Sequence, residues 1–117
     1  MDDDAVIERL QAWGCDTTGA LARVVQNRAL YVRLIRKYKD TFPLEELRAL
    51  IVAEECDKAF AVAHELKGSL GNLGLTPMYT LIREVVEGLR HGCCDAAMLD
   101  SMDILLSLKS ELDAICK

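Results

Sequence analysis

Residues 57–74 read Asp-Lys-Ala-Phe-Ala-Val-Ala-His-Glu-Leu-Lys-Gly-Ser-Leu-Gly-Asn-Leu-Gly. Phe60, Ala63, Leu66, Leu70 and Leu73 recur at intervals of three, three, four and three residues. That is the period of an amphipathic α-helix and not the alternation of a strand. The stripe predicts a helix from Asp57 whose apolar side faces a core. Ala61, His64, Lys67, Gly68 and Gly71 fall on the opposite side, so the period itself places His64 in solvent. A glycine inside a helix costs about 1 kcal/mol relative to alanine, so two of them beside one histidine need a reason.

The flanking sequence repeats the helical pattern, broken by short turn signals. The acidic run Asp2 to Asp4 favours the start of a short helix over about Ala5 to Trp13, which Gly14 ends. Asp16-Thr17-Thr18 caps a second short segment, with Leu21, Val24 and Val25 turned inward. Asn27 caps the next, with Leu30, Tyr31, Leu34, Ile35 and Tyr38 on one face. Pro43 suits the first turn of a short helix holding Leu44, Leu47, Leu50 and Ile51. Thr76 is read as the cap of a helix from about Pro77 to Arg90 that buries Met78, Leu81, Ile82, Val85, Val86 and Leu89. The last helix starts near Asp95 and carries Met98, Leu99, Met102, Leu105, Leu106, Leu108, Leu112 and Ile115. No stretch alternates with period two. The expected fold is all-α: one domain over 1–117, an antiparallel up-down bundle of four long helices, with one or two short additional N-terminal helices.

Composition bounds the function. The 117 residues suffice for one core, and 51% hydrophobic with 28% charged residues describes an ordinary globular chain. A net charge of −5 argues against nucleic acid as a partner. No apolar run approaches the roughly 20 residues that cross a bilayer, and Met-Asp-Asp-Asp does not resemble a signal peptide, so a cytoplasmic protein is expected. The five cysteines are odd in number and irregular in spacing, without a C-x-x-C pair. All five are read as reduced thiols, several of them buried. His91-Gly-Cys-Cys offers soft metal ligands, but a helix end followed by a loop accounts for it better.

An exposed imidazole is largely neutral near neutral pH and can act as a nucleophile. Hydrolysis would also need an orienting residue or an oxyanion hole, and the sequence offers neither. It does offer Lys67 one turn along from His64, suited to an anion on the ring nitrogen. Phosphoryl transfer is mostly positioning and charge stabilisation, so this pair fits a transient phosphohistidine. Gly68 and Gly71 would then leave the helix surface flat for a partner's active site. A lone histidine on a helix is usually just a surface or core residue, and a lone lysine a solvated charge. It is the combination that carries the reading.

The segment Ala63 to Gly74 resembles the signature of histidine-containing phosphotransfer (HPt) domains, roughly H-x-L-K-G-[small]-[small]-x-x-[hydrophobic]-G. The likeness extends to Leu10-x-x-x-Gly14-x-Asp16, to Asn27-x-x-Leu30-Tyr31, and to the Leu81/Glu87 helix ending at Gly92. Such domains are four-helix bundles that carry phosphoryl groups to and from receiver-domain aspartates, or from a hybrid sensor histidine kinase to a response regulator. The resemblance implies His64 as phosphoacceptor and Lys67 as the group that stabilises the phosphoryl. Gly68, Gly71, Ala61 and Arg90 would form the docking surface for the receiver. It also implies no cofactor and no ATP site of the chain's own, hence no enzyme in the usual sense, with Mg2+ supplied by the receiver. A monomer is expected. Ser69 and Leu70 replace the usual small pair. Several members place a glutamine 22 residues after the histidine to support the ring; Val86 stands there, and Arg83, Glu87 and Arg90 are the candidates to replace it.

Two other readings compete. Ala63-His64-Glu65-Leu66-Lys67 also matches the start of a sensor-kinase dimerisation motif. That motif normally continues with Thr or Asn and then Pro, where this chain has Gly68-Ser69. A non-catalytic helical adaptor could keep the fold without the chemistry. Arg33, Arg36, Lys37 and Lys39 form a basic cluster, read as a solvated face with docking to an acidic receiver as a weaker role.

Overall fold

Four of the helices begin on an acidic or amide side chain that accepts a backbone N–H of the first turn, the arrangement that satisfies donors a helix leaves orphaned. In the computed structural model, which describes residues 2–92 and 94–117, Asp2 accepts from Ala5 at 2.8 Å and opens α1 (Asp3–Trp13). Asp16 accepts from Gly19 at 3.0 Å for α2 (Thr17–Arg23), and Asn27 from Leu30 at 3.0 Å for α3 (Arg28–Tyr38). Asp95 does the same for Met98 at 3.0 Å and starts α7 (Ala96–Ile115). Between them lie α4 (Leu44–Val52), α5 (Cys56–Asn72) and α6 (Thr76–Arg90). Among the described residues there is no strand, as expected.

The lengths depart from four comparable helices. Only α5, α6 and α7 are long, at 17, 15 and 20 residues. The region before them is interrupted at a 3-10 turn, Lys39–Thr41, followed by extended Phe42. A residue ahead of proline avoids the helical region, and Pro43 has no N–H to continue the ladder. Pro43 is accordingly the residue before α4 rather than part of its first turn. The helices α4, α5, α6 and α7 touch in a closed ring, α4 and α6 each meeting both α5 and α7. α1 packs against α2, α3 and α7.

The inward residues are mostly those the period selects. Leu10, Ile35, Leu47, Leu70, Ile82 and Leu105 are all fully buried. Val25 is a correction: it is 88% exposed. α2 stops at Arg23, and the chain turns through Val25 and Gln26 with φ of 55° and 62°, which swings the valine out. Val24 and Leu81 are half-buried. Thr76 is also reassigned. It is the first residue of α6, and its hydroxyl accepts the Asp16 N–H at 3.1 Å.

That last bond belongs to a clamp on the C-terminal end of α5. The Asp16 N–H also meets the Gly74 carbonyl at 2.9 Å, and Gly74 adopts φ +69°, a region glycine enters without penalty. Arg23 donates to the carbonyls of Gly71 and Asn72 at 3.3 and 3.1 Å. The buried Tyr31 hydroxyl donates to the Leu73 carbonyl at 2.8 Å. The last carbonyls of a helix lack partners within it and favour cations, so α2 and α3 supply what α5 leaves open. The short N-terminal helices thereby hold the end of the helix that carries His64.

Candidate functional site

Ala59, Ala63, Leu66 and Leu70 are buried along α5 and set its rotation. On the other side Ala61, His64 and Gly68 are exposed and Lys67 is half-exposed, as the period requires. His64 has no hydrogen-bond partner among the described residues, and no carboxylate pairs with Lys67 there. An open hollow of about 270 Å³ is lined by His64, Lys67, Gly68, Gly71, Asn72 and Tyr79. A larger hollow of about 480 Å³ lies away from the histidine, between α2, α3 and the end of α5.

The two glycines differ. A Cβ built on Gly68 would meet nothing within 4 Å, so the helix surface is bare at that point. At Gly71 it would meet the Tyr79 ring at 3.2 Å. Gly71 is therefore half-buried and not turned fully to solvent, because α6 brings an aromatic ring against it.

Phe60 is the main departure in the stripe. It is only half-buried, and its ring stands against that of His64, centroids 5.7 Å apart and 31° tilted. The core position of that turn is Ala59. Arg90, at the end of α6, lies over the Phe60 ring with its guanidinium carbon 5.3 Å from the centroid, and pairs with Glu87 at 3.3 Å. Cation, ring and imidazole thus form a row. The spacing of four between Phe60 and His64 was the available signal, hidden by the apolar character of Phe60. Val86 is completely buried on the core side of α6. Arg83 is exposed and makes no ion pair among the described residues.

The basic cluster on α3 has other partners. Arg36 donates to the Cys116 carbonyl at 3.0 Å, beside the end of α7. Lys39 reaches Asp113 at 2.8 Å and Asp40 at 3.0 Å, and Lys109 joins the same two carboxylates at 2.8 and 3.3 Å. Burial pushes the Asp113 carboxyl up, but hydrogen bonds from Lys109 and Lys39 outweigh it and hold it below its ordinary value. Lys37 lies over the Tyr38 ring at 5.4 Å. Half of the cluster therefore fastens α3 and the following turn to α7.

Among the described residues, no group of three or more His, Cys, Asp or Glu side chains could hold a metal ion, and no helix is long and apolar enough to cross a membrane. Cys93 lies outside the described residues, and with it the His91-Gly-Cys-Cys reading.

Fold and site together describe an all-helical chain that presents one histidine on a bare helical face. The family model for the Hpt domain matches residues 33–117, most of the chain, and the chain belongs to the Hpt domain family. Domains of this family carry phosphoryl groups on histidine in phosphorelays. The match begins within α3, so the resemblance around Leu10 and Asn27 lies outside it. Comparison with curated proteins and with solved structures gives no match.

Proposed function

We propose that this chain is a phosphorelay intermediate in which His64 takes a phosphoryl group from a receiver-domain aspartate and returns it to another. The imidazole nitrogen lone pair attacks phosphorus, the P–O bond to the aspartyl oxygen breaks, and the carboxylate leaves with that electron pair. Donation is the same step reversed. Lys67 opposes the charge that gathers on the phosphoryl oxygens during transfer. Gly68 gives the partner's catalytic loop access to the ring, while Ala61, Gly71 and Arg90 lie at the rim of the docking surface. Mg2+ and the catalytic aspartate come from the receiver, and no cofactor is assigned to the chain itself.

The observation that carries this reading is the state of His64: exposed in the middle of a long helix and, among the described residues, without a hydrogen-bond partner and one turn from a lysine that no carboxylate pairs. The partners are a response-regulator receiver domain, a hybrid sensor histidine kinase, or both. We place the protein in the cytoplasm as a monomer.

The test mixes the protein with a radiolabelled phospho-receiver and Mg2+ in the absence of ATP. Acid-labile label should appear on the wild type and be missing from His64→Gln. Label that persists in the variant rejects the assignment, and no label on either protein favours a non-catalytic adaptor. A dimer on sizing, with label acquired only from a kinase and ATP, would favour the sensor-kinase dimerisation reading.

A further inference from the structure

Cys56 is the first residue of α5, and Cys94 sits in the connection between α6 and α7. They are 38 residues apart in sequence, yet their Sγ atoms are 2.6 Å apart. The Cys56 thiol also points at the Gly92 carbonyl at 3.8 Å, because the turn that ends α6 folds over the start of α5. Both side chains are half-buried, so a small solute can reach them. Cys15 and Cys116 are different: both are buried, and burial pushes the Cys15 thiol up to about 12 and raises that of Cys116 as well.

That separation is well inside the van der Waals contact of two sulfurs, and only a small side-chain movement divides it from the roughly 2.05 Å of a disulfide. We propose that Cys56 and Cys94 are a covalent modification site, oxidised to an intramolecular disulfide by a hydroperoxide. One thiolate attacks the peroxide and breaks the O–O bond, giving a sulfenic acid and an alcohol, or water from hydrogen peroxide. The second thiol attacks the sulfenic sulfur, forming the S–S bond and releasing water. Each sulfur gives up one electron, the peroxide gains two, and both thiol protons leave in the products.

The bond ties the N-terminal end of α5 to the α6–α7 connection and closes a loop containing α5 and α6. His64 lies eight residues further along α5, about 12 Å along its axis, clear of the link. The site therefore acts on the scaffold of the helix rather than on the imidazole, and it does not depend on the phosphotransfer assignment.

The experiment treats the full chain with hydrogen peroxide, then maps peptides under non-reducing conditions and records the melting temperature. The expected product is a Cys56–Cys94 cross-linked peptide pair, two hydrogens lighter than the separate peptides and reversed by dithiothreitol. Melting should rise by roughly 5–15 °C, since the link constrains the unfolded chain. Cys56→Ser and Cys94→Ser should each abolish the link, while Cys15→Ser and Cys93→Ser keep it. A link through Cys93, a link between two chains, or both thiols left reduced while the protein is folded would overturn the proposal.

Discussion

The rings of Phe60 and His64 stand one helical turn apart with centroids 5.7 Å from each other, and Arg90 lies over Phe60. An aromatic pair of this kind contributes about 0.5–1.5 kcal/mol, enough to bias the orientation of an exposed imidazole. Phe60→Leu keeps apolar volume and removes the aromatic ring. Phosphoryl transfer should slow by about 2- to 12-fold, with melting lowered by a few degrees. Unchanged transfer kinetics would show that Phe60 does not position His64.

Gly68 and Gly71 should respond oppositely to alanine. Gly68 sits mid-helix with open space where a Cβ would go, so Gly68→Ala should stabilise the fold by about 0.5–1 kcal/mol. At Gly71 the new methyl would press on Tyr79, and the propensity gain should be cancelled or reversed. Gly68→Arg should fold as well as the wild type yet lose roughly tenfold or more in transfer, because its side chain covers the approach to His64. Thermal melts and transfer rates on the three variants separate these effects. Rapid transfer by Gly68→Arg would remove the docking role.

Lys67 has no carboxylate to neutralise it among the described residues, so removing its charge should hardly disturb the fold. Lys67→Ala should change stability by less than about 0.5 kcal/mol. Transfer should fall by about 10- to 100-fold, less than a fully enclosed oxyanion donor contributes, since the residue is half-exposed. Single-turnover transfer from a phospho-receiver measures this directly, and wild-type rates would make Lys67 a surface charge.

The carboxylates facing Lys39 and Lys109 give the fold a pH dependence. Asp113 is held below the ordinary 3.8, so its contribution is present above that value and fades as pH falls through the lower native one. For Lys39, burial lowers the ammonium but hydrogen bonds to Asp113 and Asp40 raise it overall above 10.5. Its contribution is therefore complete below 10.5 and lost as pH rises through the higher native value. Asp113→Asn should destabilise the protein at neutral pH, by about 0.2–1 kcal/mol for a carboxylate this exposed. The difference from wild type should shrink at acid pH, as Asp113 takes up its proton and loses its charge. Urea titrations at the two pH values decide; a constant difference would mean that the asparagine acts through packing.

The helical period exposed most of the fold and the face that bears His64, because Leu66 and Leu70 must be buried and that requirement rotates His64 outward. It misplaced Phe60, since apolar character alone does not distinguish a core residue from a ring that covers a neighbouring imidazole; Ala59, small and unremarked, takes the core position. Val25 departs from the helical period for a related reason, as nothing in its side chain announces that the backbone turns through positive φ there. Contacts distant in sequence left no local trace. Arg23 on the end of α5, Tyr79 against Gly71, and Cys56 beside Cys94 arise only once the helices have packed.

In the proposed relay the phosphoryl group resides on His64. Its most direct measurement is tandem mass spectrometry, under non-acidic conditions, of the protein after incubation with a phosphorylated receiver and Mg2+. The expected result is a single phosphorylated peptide with the modification on His64. Phosphate on His91 or on any other residue, with His64 unmodified, would contradict it.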